Sequence, residues 1–292
     1  MIGRDPTIPI DSLQHTVSDR HLSSIKMRRV SVSQITTLGW PFERDVAFYP
    51  GAGVRAIGLS VQKLDAVGVD RARALLDASG LTVSCLTSSG WFPLDDDAGI
   101  ETALARTRRH LAAAATLGAE SLFILPGHAP SLSWEEQAER ARPILRALVP
   151  EAASAGVRLA IEPVSQLRVD LGFLHTFHDA LDFADEFDSP WLGVVLEVNN
   201  AWIEPGLYRN IAERLRRIAI VQVNDFKVGT LAASDRVVMG DGDIPLRRIC
   251  RALEAAGYAG WWDIELLGPR IEAEGYESVV PRALAAFEAL WT

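Results

Sequence analysis

The sequence contains little cysteine and no long apolar run. Only Cys85 and Cys250 occur among its 292 residues, too few for the disulfide framework of a small secreted domain. No apolar stretch reaches the roughly 18 residues that a membrane-spanning helix requires. Residues 1–11 interleave charged residues and prolines with apolar ones, so they form no signal-peptide core. We therefore expect a cytoplasmic globular protein.

Positive charge is also scarce. The chain has 29 Lys and Arg against 38 Asp and Glu, a formal net charge of −9. A surface that binds nucleic acid or anionic membrane needs a concentrated positive field, so neither partner is expected. One local Arg or Lys can still bind an anionic small molecule, and a small-molecule substrate remains the expected partner.

What the sequence does contain is a series of eight short apolar runs with the length and residue types of buried strands. They are residues 29–36, 56–60, 81–86, 121–125, 158–163, 192–197, 219–224 and 261–266. Longer helical patterns lie between most of them, at 61–78, 100–117, 134–155, 176–187, 246–256 and 276–291. Several of these patterns stop at a glycine that is typical of helix C-termini: Gly80, Gly118, Gly156 and Gly257.

Buried strands that alternate with helices predict a parallel sheet covered by helices. Eight such units in fewer than 300 residues favour a single-domain (β/α)8 TIM barrel over an open Rossmann-like sheet. The open sheet is further disfavoured because no Gly-x-Gly-x-x-Gly follows the first strand. We expect an N-terminal extension over residues 1–27 and one barrel domain over residues 28–292.

Oxygen-bearing side chains stand where the last four strands end, and in a TIM barrel these ends form the active-site face. Glu162 closes the fifth strand, Glu197 the sixth, and Glu265 the eighth. The seventh strand carries Gln222, Asn224 and Asp225.

Neighbouring strands lie about 4.8 Å apart, so inward-facing groups from four consecutive strands can meet. Converging carboxylates repel one another unless a proton or a cation intervenes. An all-oxygen set favours Mg2+ or Mn2+ over Zn2+. The alternative is that each side chain is satisfied locally at a loop entrance.

The order of these motifs resembles the xylose-isomerase-like superfamily of sugar isomerases and epimerases. The resemblance covers the chain from about Arg29 onward and is tightest after the fifth strand. It rests on Ile-Glu-Pro at 161–163, GVVLEVNNAWIEP at 193–205, residues 221–225, Gly-Asp-Gly-Asp-Ile at 240–244 and Asp-Ile-Glu at 263–265.

The resemblance implies a divalent-metal site on the last four strands. The family's ligands, Glu, Asp, His and Glu, fall by position on Glu162, Glu197, Gln222 and Glu265. Two of the four types differ, and Gln in place of His weakens affinity for transition metals. Asn200 stands where many relatives place a substrate-holding His.

The resemblance also implies chemistry next to a carbonyl, with Glu162 and Glu265 as the acid–base pair on opposite faces of an enediolate. Proton return then gives epimerisation or aldose–ketose isomerisation of a keto-sugar, sugar phosphate or cyclitol. Departure of a β-substituent gives a lyase, an inosose-type dehydratase or a 3-keto-glycoside-cleaving enzyme. A metal-less barrel that acts as a binding or partner subunit is a third reading.

Further candidates for substrate binding lie near other strand ends. His128 follows the fourth strand, Lys227 and Arg270 are candidate anion ligands, and Trp91 and Trp202 offer flat faces to a sugar. Asp243 is predicted to cap the helix that begins near residue 245. A nuclease with several zinc ions is disfavoured because His128 is the one histidine near a strand end. A homo-oligomer is compatible with the sequence, which indicates no particular interface.

Overall fold

The computed structural model describes residues 28–232 and 234–292, so the predicted extension over residues 1–27 lies outside the described part of the chain. Ten strands are described: β1 Arg29–Ser33, β2 Ala56–Ser60, β3 Thr82–Gly90, β4 Ser121–Leu125, β5 Arg158–Ile161, β6 Leu192–Glu197, β7 Ile218–Val223, β8 Asp225–Phe226, β9 Arg236–Val237 and β10 Trp261–Ile264. The helices are α1 Phe42–Phe48, α2 Val61–Val67, α3 Val69–Ser79, α4 Asp97–Leu117, α5 Trp134–Ala155, α6 Phe177–Asp185, α7 Val198–Ala201, α8 Leu207–Arg214, α9 Leu246–Ala256, α10 Pro269–Glu274 and α11 Tyr276–Glu288.

Eight of the strands form a closed parallel barrel in the order β1-β10-β7-β6-β5-β4-β3-β2. The predicted (β/α)8 TIM barrel is thereby confirmed, and the open Rossmann-like sheet is excluded. The remaining two strands, β8 and β9, pair antiparallel in a small ribbon directly after β7. None of the described helices combines the length and the apolarity that crossing a membrane requires.

Alternation along each strand divides the barrel into an outer and an inner core. Ile57, Leu59, Val194 and Leu196 belong to the large core between barrel and helices. The inward set forms a second apolar cluster that fills the barrel: Ala56, Cys85, Phe123, Ala160, Val195, Ile220 and Trp261. Because side chains two residues apart share a face, the strand residues beyond this cluster also point inward, towards the C-terminal mouth.

The helix ends follow the glycine signals. Gly80, Gly118, Gly156 and Gly257 all adopt left-handed backbone at the C-cap of their helices, as predicted. The single helix expected over residues 61–78 is instead two, α2 and α3, because Gly68 separates them with φ +81°. The short helices α1 and α8 and the β8–β9 ribbon were not predicted.

Gly90 ends β3 with φ +90°, and a Cβ there would lie 2.4 Å from the Leu125 carbonyl oxygen. Gly118 shares the left-handed backbone, φ +73°, but a Cβ would meet no atom within 4 Å. We predict that Gly118→Ala lowers the free energy of unfolding by about 1 kcal/mol through backbone strain alone. Gly90→Ala adds a clash with backbone, so its loss should be about 3 kcal/mol or more. Urea denaturation of both variants tests this, and equal losses would contradict the clash.

Candidate active site at the mouth of the barrel

Side chains two residues apart on a strand share a face, so the apolar residues of the barrel floor are followed by polar residues at its mouth. Val195 is followed two residues later by Glu197, Ile220 by Gln222, and Trp261 by Asp263 and then Glu265. Glu197 and Gln222 are direct partners in the β6–β7 register. The sequence therefore sets both the floor and the direction of the polar side chains above it.

Four of the polar residues predicted at the last strand ends pair two by two. The Gln222 amide Nε2 donates to one Glu265 oxygen, and the Asn224 amide Nδ2 donates to Glu197 Oε1. Glu197, Gln222, Asn224 and Glu265 are all buried, whereas Glu162 keeps part of its surface exposed. Glu197 also accepts from the Asn199 backbone N–H, 3.1 Å from Oε2.

Sequence reasoning missed the cation of this cluster. Arg236 is buried, and its Nη1 donates to Glu265 Oε1 at 2.6 Å and to the Glu265 carbonyl oxygen at 3.2 Å. Its Nη2 lies 3.9 Å from Glu197 Oε2. The guanidinium thus bridges the carboxylates of β6 and β10.

The β8–β9 ribbon delivers Arg236 to the mouth. Arg236 pairs with Phe226, and Asp225 pairs with Val237, immediately after the seventh barrel strand. One sequence signal was available: Arg236 begins an Arg-Val-Val-Met run whose apolar residues mark the segment as packed. Val237, Val238 and Met239 are indeed buried.

Asp225 fixes this ribbon to the following glycine-rich loop. Its carboxylate accepts from the backbone N–H groups of Phe226, Gly240, Gly242 and Ile244, at 2.8 to 3.2 Å. A Cβ on Gly242 would lie 2.1 Å from Asp225 Oδ1, so only glycine fits. Asp225 therefore anchors the loop that follows Arg236 to the ribbon that contains Arg236.

The predicted cap role of Asp243 is wrong. Helix α9 has Pro245 at its N-cap and no side-chain cap bond. The Asp243 carboxylate instead accepts from the Val228 backbone N–H at 2.9 Å and from Lys227 Nζ at 3.1 Å. The ribbon, which the sequence did not reveal, supplies these nearer donors.

Burial and mutual repulsion control the charge of the cluster. Burial, reinforced by the negative charge of Glu265, raises the pKa of Glu162 from 4.5 to about 8, although Arg236 opposes the shift. Burial also raises the pKa of Glu197, against the pull of Arg236 and the Asn224 amide. For Arg236 burial lowers the pKa, but the attraction of Glu197 and Glu265 outweighs it and the net shift is upward.

Asp263 lies one layer deeper, between the apolar floor and Glu265. Burial raises its pKa to about 8, although Ser31 Oγ donates to its Oδ1 at 2.6 Å. Gly58 of β2 lies on the other side of β1, where a Cβ would lie 2.8 Å from Asp263 Oδ1. The barrel interior therefore accommodates this carboxyl by leaving room opposite it.

Three buried polar atoms of the cluster make no hydrogen bond within the described residues: Gln222 Oε1, Asn224 Oδ1 and Arg236 Nε. A buried donor or acceptor without a partner costs about 1 to 3 kcal/mol. Two of these atoms are acceptors and one is a charged donor. A molecule carrying both hydroxyl and carbonyl groups is chemically complementary to them.

This donor set does not fit a divalent ion well. Both oxygens of Glu265 accept N–H donors, from Arg236 and Gln222, and both oxygens of Glu197 accept the Asn199 N–H, with Asn224 on Oε1. Across residues 28–232 and 234–292, no three His, Cys, Asp or Glu side chains are grouped as metal ligands. The ligand set Glu162, Glu197, Gln222 and Glu265, with Mn2+ or Mg2+, stays a prediction from the resemblance.

A cavity of about 320 Å³ is lined by residues that follow the cluster residues in sequence, although no side chain of the cluster itself lines it. Its walls come from segments that directly follow Glu162 and Glu197 and from the ribbon, and they include Ser165, His175, Asn200, Trp202 and Phe226. Two predicted substrate-binding residues, Asn200 and Trp202, thus share one cavity. The Asn200 Nδ2 donates to the Pro163 carbonyl oxygen at 3.2 Å, which ties the cavity wall to the Glu162 segment.

The other predicted substrate ligands do not join this cavity. Lys227 and Arg270 are exposed and pair with Asp243 and Asp235, at 3.1 and 3.3 Å.

His128 and Trp91 lie on the β3–β4 side of the rim. The His128 backbone N–H donates to the Phe92 carbonyl oxygen at 3.0 Å. Trp91 adopts φ +60° with its Nε1 donating to the Ser88 carbonyl oxygen at 2.9 Å.

The closed barrel and the ionisable cluster at its C-terminal mouth define the class of the protein: a TIM barrel with a polar site at the active-site face. The family model for the xylose isomerase-like TIM barrel matches residues 48–288, and the chain belongs to this family. The resemblance inferred from the sequence is thereby confirmed.

Solved structures agree with this assignment. The protein SMc04130 from Sinorhizobium meliloti 1021 is 28% identical, with a TM-score of 0.80 over 89% of this chain and 98% of the other. An IOLI protein with a bound zinc atom is 19% identical, with a TM-score of 0.77 over 90% and 97%. A D-allulose 3-epimerase from Methylomonas sp. is 17% identical, with a TM-score of 0.73 over 90% and 98%. No functionally curated protein matches the chain.

The raised pKa of Glu162 predicts a pH-dependent stability difference. Between pH 4.5 and about 8 the folded state holds a proton that the unfolded state has lost, so wild-type stability falls across this window. Glu162→Gln removes that loss. Between pH 5 and pH 9, the free energy of unfolding of the variant should therefore rise relative to that of the wild type by on the order of 2 kcal/mol, as measured by urea denaturation.

The exposed Glu272 provides the matched control, and Glu272→Gln should track the wild type at every pH. A Glu162→Gln difference that is constant with pH would show that the Glu162 carboxyl titrates as in the unfolded chain.

Proposed function

We propose that the protein is an isomerase or epimerase that moves a proton next to the carbonyl of a polyhydroxylated substrate. The substrate classes are a keto-sugar, a sugar phosphate or a cyclitol. One observation carries the proposal: the carboxyls of Glu162 and Glu265, directly after β5 and β10, interact electrostatically with each other and with Arg236 at the barrel mouth. Membership in the xylose isomerase-like family and the fold shared with an epimerase support it.

Glu162 and Glu265 are the acid–base pair in this proposal. Their strands are separated in the barrel by β6 and β7, so the two side chains approach the mouth from different sides. A pKa near 8 suits Glu162 to both taking and returning a proton near neutral pH. Such matching is characteristic of groups that transfer protons in a reaction.

The proton transfer proceeds through an enediol. One carboxylate removes the proton on the carbon beside the carbonyl, and the C–H electron pair becomes a C=C bond while the carbonyl oxygen takes the negative charge. Return of a proton to the opposite face of the same carbon inverts it. Return to the neighbouring carbon, together with transfer of the hydroxyl proton to the former carbonyl oxygen, exchanges aldose and ketose. If a β-substituent leaves instead, the outcome is that of a lyase.

The unpartnered polar atoms supply the means of orienting such a substrate. Gln222 Oε1 and Asn224 Oδ1 would accept from substrate hydroxyls, while Arg236 Nε would donate to an oxygen. Each contact removes the penalty of a buried polar atom without a partner, so a hydroxylated ligand gains more than an apolar ligand of equal size. The adjoining cavity would hold the remainder of the substrate, with the Trp202 ring as its flat wall.

Glu265→Gln is predicted to reduce proton exchange by about 10²- to 10⁴-fold, because it removes one member of the acid–base pair. The assay follows deuterium uptake from D2O by NMR in D-allulose, L-ribulose and a keto-cyclitol. Glu162→Gln should lose a similar factor. Glu272→Gln, an exposed control on α10, should keep the wild-type rate.

The products distinguish the outcomes of this assay. An epimer or an aldose supports the proposal, whereas an unsaturated product identifies a lyase of the same family. Binding of these compounds without exchange in the wild type would identify a binding barrel and overturn the enzymatic proposal. Full activity in Glu265→Gln would remove that residue from the acid–base pair.

Trp202→Ala is predicted to raise KM by about tenfold with a smaller effect on kcat, since it removes a contact surface remote from the proton transfer. Trp134 is a matched control, because it is also a tryptophan with an exposed face but does not line the cavity. Steady-state kinetics on the active substrate make the comparison. If Trp134→Ala raises KM as much as Trp202→Ala, the cavity is not where the substrate lies.

A further inference from the structure

We infer that the cation of this site is the guanidinium of Arg236, in the position where the sequence pattern predicts a divalent metal ion. The inference builds on the proposed function and specifies which group stabilises the negative charge of the intermediate. It makes Arg236 a catalytic residue, because its N–H groups would contact the reacting oxygen.

The hydrogen bonds of the carboxylates are the first support. Arg236 Nη1 holds Glu265 Oε1 at 2.6 Å, and the Gln222 amide donates to the other oxygen of Glu265. Glu197 likewise accepts hydrogen bonds, from the Asn224 amide and from the Asn199 backbone N–H. A metal ion would have to share these oxygens with nitrogen donors at both carboxylates, or displace those donors.

The amide orientations are the second support. A metal ion requires an oxygen or a neutral nitrogen lone pair. The amide oxygens of Gln222 and Asn224 could supply one, but the NH2 groups that contact the carboxylates cannot. Gln222 and Asn224 turn their NH2 groups onto the two carboxylates. This arrangement satisfies carboxylates in the absence of a metal, and it leaves the two amide oxygens for hydroxyl donors.

Charge is the third support. The guanidinium lies in contact with Glu265 and 3.9 Å from Glu197, so a divalent ion between these carboxylates would face a fixed positive charge a few ångströms away. In a buried setting that repulsion is weakly screened. Arg236 is itself buried and cannot move into solvent without leaving both carboxylates unpaired.

Arg236 retains a donor for the substrate. Its Nη groups face the carboxylates, while its Nε makes no hydrogen bond inside the described residues. In the reaction the substrate carbonyl oxygen would accept from this guanidinium. As Glu162 or Glu265 takes the carbon-bound proton, the new C=C bond forms and the charge that develops on oxygen is held by Arg236. The proton returns to carbon from the same pair of carboxyls, so no further reactant is needed.

The position of Arg236 is built into the fold. Antiparallel pairing of Arg236 with Phe226 sets its backbone, and Asp225 ties that ribbon to the loop at residues 240–244 through three backbone N–H groups of the loop. A donor aimed in advance at the developing charge needs no reorganisation during the reaction. The loop anchor thus supports a fixed cation.

The first test measures metal binding and needs no substrate. The purified full chain is analysed for metals as isolated, then dialysed against EDTA and titrated with MnCl2 and ZnCl2 by calorimetry. We expect less than 0.1 equivalent of bound metal (about the background of such an analysis) and no stoichiometric titration in the micromolar range. A stoichiometric ion with micromolar affinity would overturn the inference, whether or not a substrate has been found.

The second test uses the deuterium-exchange assay. EDTA treatment should leave the wild-type rate within twofold, and Arg236→Gln should lower it by about 10²-fold or more, the usual effect of removing a charge-stabilising donor. Arg236→Lys, which keeps the charge, should recover part of that loss, and added guanidinium chloride at millimolar concentration should raise the rate of Arg236→Gln. Arg108→Gln, on the surface of α4 in a pair with Glu151, should behave as wild type.

The outcomes separate this inference from the proposed function. Exchange that disappears with EDTA and returns with Mn2+ or Zn2+ overturns the inference but supports the proposed function. No exchange with any substrate refutes the proposed function, and the metal titration then decides the inference alone. Circular dichroism of Arg236→Gln checks its fold, and if it is unfolded, Arg236→Lys and the EDTA experiment decide the outcome.

Discussion

The burial of several carboxylates in one small volume is the constraint on which the site depends. Glu197 and Glu265 are almost without solvent contact, and Glu162 stands beside them. Such groups must be protonated, paired or hydrogen-bonded, because isolated buried charge is far too costly. Arg236 and the amides of Gln222 and Asn224 meet that need. The ribbon and the Asp225 anchor contribute to the same end, because they hold Arg236 in position.

The barrel itself could be predicted from the sequence because its signals are local. Each strand is a short apolar run, four of the longer helices end at a glycine in left-handed backbone, and eight repeats leave little choice of topology. The errors fell where the signal was short or broken. Gly68 splits one predicted helix into two, and α1 and α8, of 7 and 8 residues, are too short to show a clear period.

The site residues show the same contrast between local sequence signals, which could be interpreted, and non-local contacts, which could not. Glu162, Glu197, Gln222 and Glu265 were identifiable because strand alternation fixes the direction of a side chain within a few residues. Arg236 was not, because its position depends on a ribbon register and on hydrogen bonds that Asp225 accepts from residues up to 19 positions away. From the converging carboxylates alone, a metal ion is the expected way to balance their charge, and that expectation stays a prediction. A cation on a strand of two residues leaves no periodic pattern in the sequence.

A fixed guanidinium and a bound metal solve the same electrostatic problem with different consequences. A metal ion dissociates and gives its site a dependence on supply, whereas Arg236 is always charged and always present. The guanidinium also donates directional hydrogen bonds, so it selects the position of the oxygen it stabilises more narrowly than a spherical ion does. In the layer below Glu265, Ser31 donates to the buried Asp263 carboxyl, and Gly58 leaves room for that carboxyl. If Arg236 is the cation of the site, the geometry of the mouth is set by covalently attached groups, and the Asp225 anchor helps to hold that cation in place.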